Sequence, residues 1–330
     1  MRSVLLRGLV PALAVLVVAV LASLAVGAGE VGPARALAVL GGGGDADARF
    51  AVLQLRVPRT VVAVAVGIAL GVAGAVLQTA ARNPLAEPGL LGVSAGASFA
   101  VVLVIASGAS AASLGPWVAV LGAGAGCLLA VGAARLRGAG DDPVRLVLAG
   151  AALSGLLSAA TSVVLLLDQR TADEVRFWTV GSVAGRDLGT LTQVGPVLAV
   201  GLLIALLAAR PLSALALGDT VARGLGHRPA RARALAMVAV ALLVGGAVAA
   251  AGPVVFIGLV VPFLARALVG PDLRRVLAVT VLLGPAVVLL ADVASRLLVR
   301  PYEMPLGVVT AMIGAPVLVA VVRSTRMPAL

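Results

Sequence analysis

Apolar residues along this chain come in long runs, divided by short stretches rich in Arg, Gly and Pro. Runs of this length read as membrane-crossing helices, since a bilayer core of roughly 30 Å takes about 20 apolar residues of α-helix. The pattern predicts ten spans, near residues 9–27, 60–80, 91–107, 115–134, 145–167, 190–209, 235–252, 254–269, 276–298 and 306–322. The expected fold class is an all-α polytopic membrane protein, with residues 1–330 forming one transmembrane domain. The first run follows Met1-Arg2-Ser3 and extends to Val26, a layout shared with signal peptides. It is long enough to span and nine more runs follow, so it reads as a retained first helix. The eighth run is short, and Gly252-Pro253 and Pro262 interrupt its surroundings. Such a segment reads as a half-helix or a re-entrant element lining a cavity.

The distribution of arginine orients this map. With the N-terminus inside and strict alternation, sixteen of the 25 basic residues fall on the inside and nine on the outside. That asymmetry places both termini in the cytoplasm. Three connecting segments are long. Residues 28–59 form an extracytoplasmic segment with a hinge at Gly41-Gly42-Gly43-Gly44, and residues 168–189 form a second one containing Phe177 and Trp178. Residues 210–234 form the largest cytoplasmic loop, rich in Arg. A weak echo relates residues 83–92 to residues 252–260, on opposite sides of the membrane, as inverted repeats would be.

Composition narrows the picture. Of the 330 residues 61% are hydrophobic and 12% charged, with mean hydropathy +1.16, too apolar for a soluble domain. A net charge of +11 would suit nucleic acid, but aromatics are 2% and the arginines lie between apolar runs, so membrane topology explains them and no nucleic-acid partner is expected. Cys127 and His227 are each the only one of their kind, so neither an internal disulfide nor a metal site is expected. Every basic residue is Arg. Without Lys a phosphate-cradling GxxxxGK[ST] loop cannot be written, so this chain supplies no P-loop ATPase. No HExxH or GxSxG motif is present, and catalysis by this chain alone is not expected.

Five motifs carry the functional reading. Arg56-Val57-Pro58-Arg59-Thr60 lies just before the second span, with no acid beside the arginines in sequence. It reads either as interfacial anchoring or as a docking point for carboxylates of an outside partner. Residues 82–96 contain Asn83, Pro84, Glu87, Pro88 and Gly89, which break the helix and allow a tight corner, with Glu87 placed to cap the third span. Leu217, Gly218, Asp219, Thr220, Val221, Ala222, Arg223, Gly224, Leu225 and Gly226 form a cytoplasmic element in which Asp219 or Thr220 is placed to cap a short helix. It reads as a docking helix or as a solvated connector. Asp292 and Arg296 are four apart in the ninth span and share a helix face. Glu303 lies near the start of the tenth span, where negative charge suits the helix dipole, and Pro305 follows.

Together these stretches resemble the FecCD family, the permease subunits of ATP-binding-cassette importers for iron–siderophores, haem and vitamin B12. The resemblance rests on RVPRT (56–60), GVAGAVLQTAARNPLAEPGLLGVSAGA (71–97), LAGAALSGLLSAATS (148–162), FWTVGSVAG (177–185), LGDTVARGLG (217–226), AAGPVVFIGLVVPFLAR (250–266), LLADVASR (289–296) and EMPLGVVTAMIGAPV (303–317). They come in family order. One departure is visible: Phe263 stands where members commonly carry His, with Pro262 and Arg266 kept. The resemblance implies ten helices and a pore made with a second permease subunit. It also implies two ATPase subunits that use ATP and Mg, no cofactor on this chain, and a home in the bacterial cytoplasmic membrane. It implies further that 217–226 couples to the ATPases, and that Arg56, Arg59 and Arg296 receive acidic residues from an extracytoplasmic binding protein. The expected function is import of an iron–siderophore complex by alternating access, with vitamin B12 or haem as alternative cargo. An ion-coupled secondary transporter is the rival from another class, but it would want acids at mid-membrane, and only Asp292 lies well inside a span.

Overall fold

The computed structural model describes residues 2–109, 116–135, 143–176, 178–300 and 302–323, and among these no strand occurs. The long helices are α1 (Arg2–Ala25), α3 (Val57–Ala81), α5 (Trp117–Arg135), α6 (Pro143–Leu167), α8 (Leu188–Ala216), α10 (Pro229–Ala251) and α12 (Leu273–Leu297). The shorter apolar helices are α4 (Val93–Ala106), α11 (Ile257–Val269) and α13 (Leu306–Arg323). Three small helices, α2 (Pro33–Leu40), α7 (Gln169–Val175) and α9 (Asp219–Gly224), lie in the connections. Seven helices are long and apolar enough to cross a membrane, and each expected span coincides with one of these seven or with one of the three shorter apolar helices. The end of the bundle that carries residues 168–189 is termed upper, and the end that carries α9 lower. Met1, residues 110–115, 136–142 and 324–330, Phe177 and Pro301 lie outside the described residues.

The core is built on α3, α10 and α12, whose most apolar stretches are 78%, 72% and 67% buried, against 17% for α1 and 6% for α6. Small residues let these helices approach closely. A Cβ added to Gly67 would stand 2.5 Å from the backbone nitrogen of Pro285 and 2.6 Å from the carbonyl oxygen of Gly284, closer than real Cβ atoms come. Contacts between helices that share an apolar solvent depend on such packing, because lipid tails are as apolar as leucine.

Two connections turn back into the bundle. At the lower end of α3, Arg82 takes a left-handed conformation (φ 49°) and the chain returns to a 3₁₀ turn at Pro88–Leu91. At the upper end of α10, Gly252 (φ 71°) and Phe256 (φ 68°) bracket an extended stretch before α11 begins. The two meet halfway along α3. A Cβ on Gly258 would stand 2.7 Å from Cδ of Pro88 and 3.3 Å from the carbonyl oxygen of Leu70. The α4 and α11 helices start at this level with 14 and 13 residues, about 20 Å each at 1.5 Å per residue. The short eighth span is thus a half-helix fed by a re-entrant stretch, and residues 83–92 form its counterpart from the opposite end.

Two segments expected as loops are largely helical. Within 28–59, α2 is followed by the Gly41–Gly44 turn, a single turn at Ala46–Arg49 and a π-helical stretch at Phe50–Arg56 that runs into α3. Pro58 explains the π geometry: it has no N–H to donate, and its ring crowds the preceding turn, which the wider winding relieves. Within 210–234, α8 continues through Pro211 to Ala216, held by fully buried Leu212 and Leu215, and α10 already starts at Pro229.

Candidate functional site

The last carbonyls of an α-helix lack intrahelical partners and carry its negative end. At the upper end of α1 arginines from elsewhere in the chain satisfy them. Arg56 donates from Nη1 to the carbonyl oxygens of Leu24 (2.9 Å) and Ala25 (2.8 Å), and from Nη2 to that of Val31 (2.7 Å). Arg296 donates from Nη1 to the carbonyl oxygens of Ser23 and Val26 (both 2.8 Å), and Arg300 reaches that of Gly27 (3.1 Å). The Ser23 hydroxyl also lies 2.8 Å from that of Thr60.

Arg59 sits one turn further into the bundle. Its Nε and Nη2 donate to the Asp292 carboxylate (2.7 Å from Nη2), while Nη1 bonds Glu303 at 2.7 Å. Arg296 pairs with the other oxygen of Asp292. Asp292 is fully buried, and Arg56, Arg59 and Arg296 are 6%, 9% and 1% exposed. All three expected docking arginines therefore gather at one place, buried and engaged within the chain. Asp292 and Arg296 pair as their spacing predicts. Glu303 gives its carboxylate to Arg59 rather than to the first turn of α13, whose Val308 and Val309 N–H groups turn to the Pro305 carbonyl.

Two cavities open beside this cluster. One, of about 410 Å³, is bordered by Glu30, Arg56, Arg59, Arg186, Arg296 and Glu303. The other, of about 840 Å³, is bordered by Glu174, Trp178, Arg186, Gln193, Glu303 and Met304 among others. Ala184, Arg186, Asp187 and Glu303 border both. Residues of the 168–189 segment and Glu303, Met304 and Pro305, just before α13, thus line the larger cavity. Arg186 was visible in the sequence only as one of the outer arginines. A signal existed: it stands between the turn glycines Gly181 (φ 76°) and Gly185 (φ 66°) and Asp187, which caps α8 by accepting from the Thr190 N–H (2.9 Å). Burial draws the Arg186 guanidinium below the usual arginine range, and Asp187 pulls it back up.

At the lower end, Gly218 (φ 106°) precedes α9 without a side-chain cap. Asp219 instead binds Arg233 of α10 at 2.7 Å, with Arg82 at 3.7 Å and Arg223 at 4.0 Å. Within α9 Ala222 is the buried residue, while Leu217, Val221 and Leu225 are 67%, 45% and 60% exposed. Thr220, Arg223 and Gly224 are exposed too, and Gly226 (φ 80°) ends the element. A short helix with an apolar exposed face is thereby tied by one carboxylate to the ends of two core helices.

The corner residues hold the turns. Asn83 Oδ1 accepts from the Leu85 N–H (2.9 Å), Pro88 opens the 3₁₀ turn, and Glu87 Oε2 is buried without a partner among the described residues. Pro84 and Gly89 are partly buried within the corner. Pro253 leads the extended stretch, its carbonyl packed against Gly181 and Gly307. Pro262 is buried within α11. Deeper in, Arg266 donates to Gln78 Oε1 (2.5 Å) and Gln78 Nε2 to the Gly258 carbonyl (3.2 Å), joining α11 to α3 where the two re-entrant connections meet.

Comparison with known proteins agrees with this architecture. The chain is 44% identical over 324 residues to the ferric enterobactin transport system permease protein FepD of Escherichia coli, covering 98% of this chain and 96% of that one. It is 38% identical to the iron(3+)-hydroxamate import system permease protein FhuB of Bacillus subtilis (83% and 71% covered), and 37% identical to the hemin transport system permease protein HmuU of Yersinia pestis (80% of each). A solved inward-facing structure, assigned to the metal-chelate type of ABC transporter, superposes with a TM-score of 0.76 at 29% identity, covering 95% of this chain and 98% of its own. The model of the FecCD transport family matches residues 15–324. An all-helical bundle of apolar spans with these relatives is a transport permease, and the chain belongs to the FecCD transport family.

Proposed function

We propose that this chain is the permease subunit of an ATP-driven importer that moves an iron–siderophore complex across the bacterial cytoplasmic membrane. The observation that carries this reading is the 44% identity, over nearly the whole chain, to a permease for ferric enterobactin. The differing ends of the bundle support it. The upper end has an arginine cluster and two cavities, and the lower end an exposed apolar helix suited to a groove on an ATPase partner. With both termini cytoplasmic, the upper end faces outward and receives a loaded binding protein. A second permease copy or sister chain completes the pore, two ATPase subunits beneath it use ATP and Mg, and this chain binds no cofactor. Closure of the ATPases pushes on α9, and the Asp219 ties to Arg233 and Arg82 pass the motion to α10 and α3. Arg56, Arg59 and Arg296 act at the docking face by fixing the end of α1 and the position of Glu303.

The test is ATPase activity of the reconstituted complex in lipid nanodiscs, with extracytoplasmic binding proteins loaded with ferric catecholates, ferric hydroxamates, ferric citrate, haem or cobalamin. Stimulation by a ferric siderophore alone is expected. Stimulation by haem or cobalamin alone would move the chain to another cargo, and stimulation by none, in an intact complex with a sister permease supplied, would refute the import reading.

A further inference from the structure

We propose that the segment between α1 and α3 is an interfacial foot, resting on the bilayer leaflet at the upper end through Leu37, Leu40, Phe50 and Leu53, so that its partner is lipid. The proposal needs only that the chain spans a membrane, and it stands or falls apart from the import reading.

The end of α1 sets the level of this segment. The apolar span of α1 runs over Val4–Ala25, and Arg56 reaches across to the carbonyl oxygens of Leu24 and Ala25. Arg56 therefore marks the height at which α1 leaves the hydrocarbon. The helix that contains α3 does not stop there. Ala46–Ala81 is one apolar run of 36 residues, about 54 Å at 1.5 Å per residue, against about 30 Å of bilayer core. Leu53 and Phe50 come before Arg56 in this run and stand about 5 and 9 Å further out. The headgroup layer is about 5–7 Å deep on each side, so the chain crosses it at these residues. Phe50 and Leu53 are 60% and 50% exposed there, and the exposed apolar positions continue into the span at Val61.

The chemistry of the segment fits the same place. α2 packs on α1, and its Ala36 and Val39 form a small core with Ala48 and Val52. That core leaves Leu37 and Leu40 47% and 44% exposed. At about 100° per residue the two leucines lie within about 60° of each other, whereas Ala38 lies about 100° from one and 160° from the other. The polar groups are meanwhile engaged within the segment. Arg35 pairs with Asp45 (2.7 Å), Asp45 accepts from the Ala48 N–H (2.8 Å), and Arg49 donates to the carbonyl oxygens of Gly42 and Gly43. Two arginines, Arg35 and Arg49, stand against Glu30, Asp45 and Asp47, a net charge of −1 over residues 28–53. Attraction to anionic headgroups is therefore not what holds the segment; apolar burial is. A docking protein would cover these side chains only while bound and leave them in water between visits. The leaflet covers them throughout, because α2 lies against α1, whose exposed Leu13, Val17 and Leu21 already face it. With the foot seated, the joint between Arg56 and the end of α1 is held at a fixed depth.

The experiment uses the full chain in nanodiscs, with its only cysteine removed by Cys127→Ala and single cysteines introduced for a nitroxide label. Collisions of each label with oxygen, which concentrates in the bilayer, are compared with those of a water-soluble nickel chelate. Leu13→Cys in α1 is the lipid reference, and every labelled protein is first shown to be monodisperse by size exclusion. Labels on Leu37→Cys, Leu40→Cys, Phe50→Cys and Leu53→Cys are expected to favour oxygen as the reference does, severalfold over the label on Ala38→Cys, which should favour the chelate. The contrast should be equal in zwitterionic and anionic nanodiscs, because Arg35 and Arg49 are engaged within the segment. Each position reports separately, so a variant that fails to stay monodisperse leaves the others to decide. Labels that favour the chelate at all of these positions would overturn the foot. Labels that favour the chelate until a loaded binding protein is added, and then lose both kinds of collision, would overturn it and assign the face to that protein. A contrast confined to anionic lipid would overturn the apolar contact.

Discussion

Asp292 decides whether the upper arginine cluster is stable. It is the one buried carboxylate that Arg59 and Arg296 share. Removing one partner of a buried pair leaves uncompensated charge, at a cost of about 3–5 kcal/mol. Asp292→Asn is accordingly predicted to lower the thermal midpoint of the solubilised protein sharply, read by fluorescence-detected size exclusion. Glu303→Gln should cost about 1 kcal/mol or less, because that carboxylate is 30% exposed and Arg59 keeps Asp292. An equal loss from both would show that Asp292 has no special place. The sequence exposed only part of this cluster. The spacing of Asp292 and Arg296 shows their pairing, but the partners of Arg59 come from 233 and 244 residues away, a distance no local pattern reports. The same holds for Gln78, bonded to Arg266 across 188 residues.

At the scale of elements, the two half-helices and α9 carry the most consequence. The Gly258 contact with Pro88 and the middle of α3 leaves no room for a side chain. Gly258→Val is predicted to force the re-entrant connections apart and abolish transport. Gly124→Ala, where nothing lies within 4 Å, should be tolerated; transport equal in the two variants would contradict the contact. Charging the exposed face of α9 with Val221→Asp and Leu225→Asp should leave the permease folded but break the link between ATP hydrolysis and transport, measured as binding of the ATPase subunits. The cap of α8 gives a pH prediction. The Asp187 carboxylate is held below its ordinary value of 3.8 by the Thr190 N–H and hydroxyl. A depressed carboxylate stabilises above its unfolded pKa and loses that contribution as pH falls through the folded one. Protection of the Thr190 amide, its exchange measured relative to the intrinsic rate at each pH, should therefore be flat from neutral down to about pH 4 and fall only in stronger acid, and Asp187→Ala should lower it at neutral pH. The existence of the spans was legible from apolar run length, and α11 from its prolines. The extension of α8 through Pro211 was not, because it follows from the burial of Leu212 and Leu215 in tertiary packing rather than from local preference; the π-helical lead into α3 was not either, although Pro58 marks the place, because proline ends or crowds a helix turn without specifying how the turn adjusts.

Over the whole molecule the parts form a chain of contacts from one end to the other. Asp219 ties α9 to α10 and α3, α3 meets α11 at Gly74 and Gly258, and its upper end holds Glu303 through Arg59, beside both cavities. The least buried long helix, α6, exposes Leu148, Leu156, Leu166 and Leu167. The proposed partners for such a face are lipid and the second permease, and cross-linking from Leu156→Cys is expected to capture one or the other in membranes. Membrane residence and general architecture followed from composition and run length. The cargo did not, because nothing in the apolar pattern encodes the shape of a chelate.

Import of a ferric siderophore is tested by uptake into proteoliposomes. The complex is reconstituted with ATP enclosed, and the radiolabelled ferric siderophore on its binding protein is added outside. Accumulation is expected to require ATP and the binding protein and to be lost with Gly258→Val. Accumulation driven by a proton or sodium gradient without ATP would contradict it and restore the secondary-transporter reading.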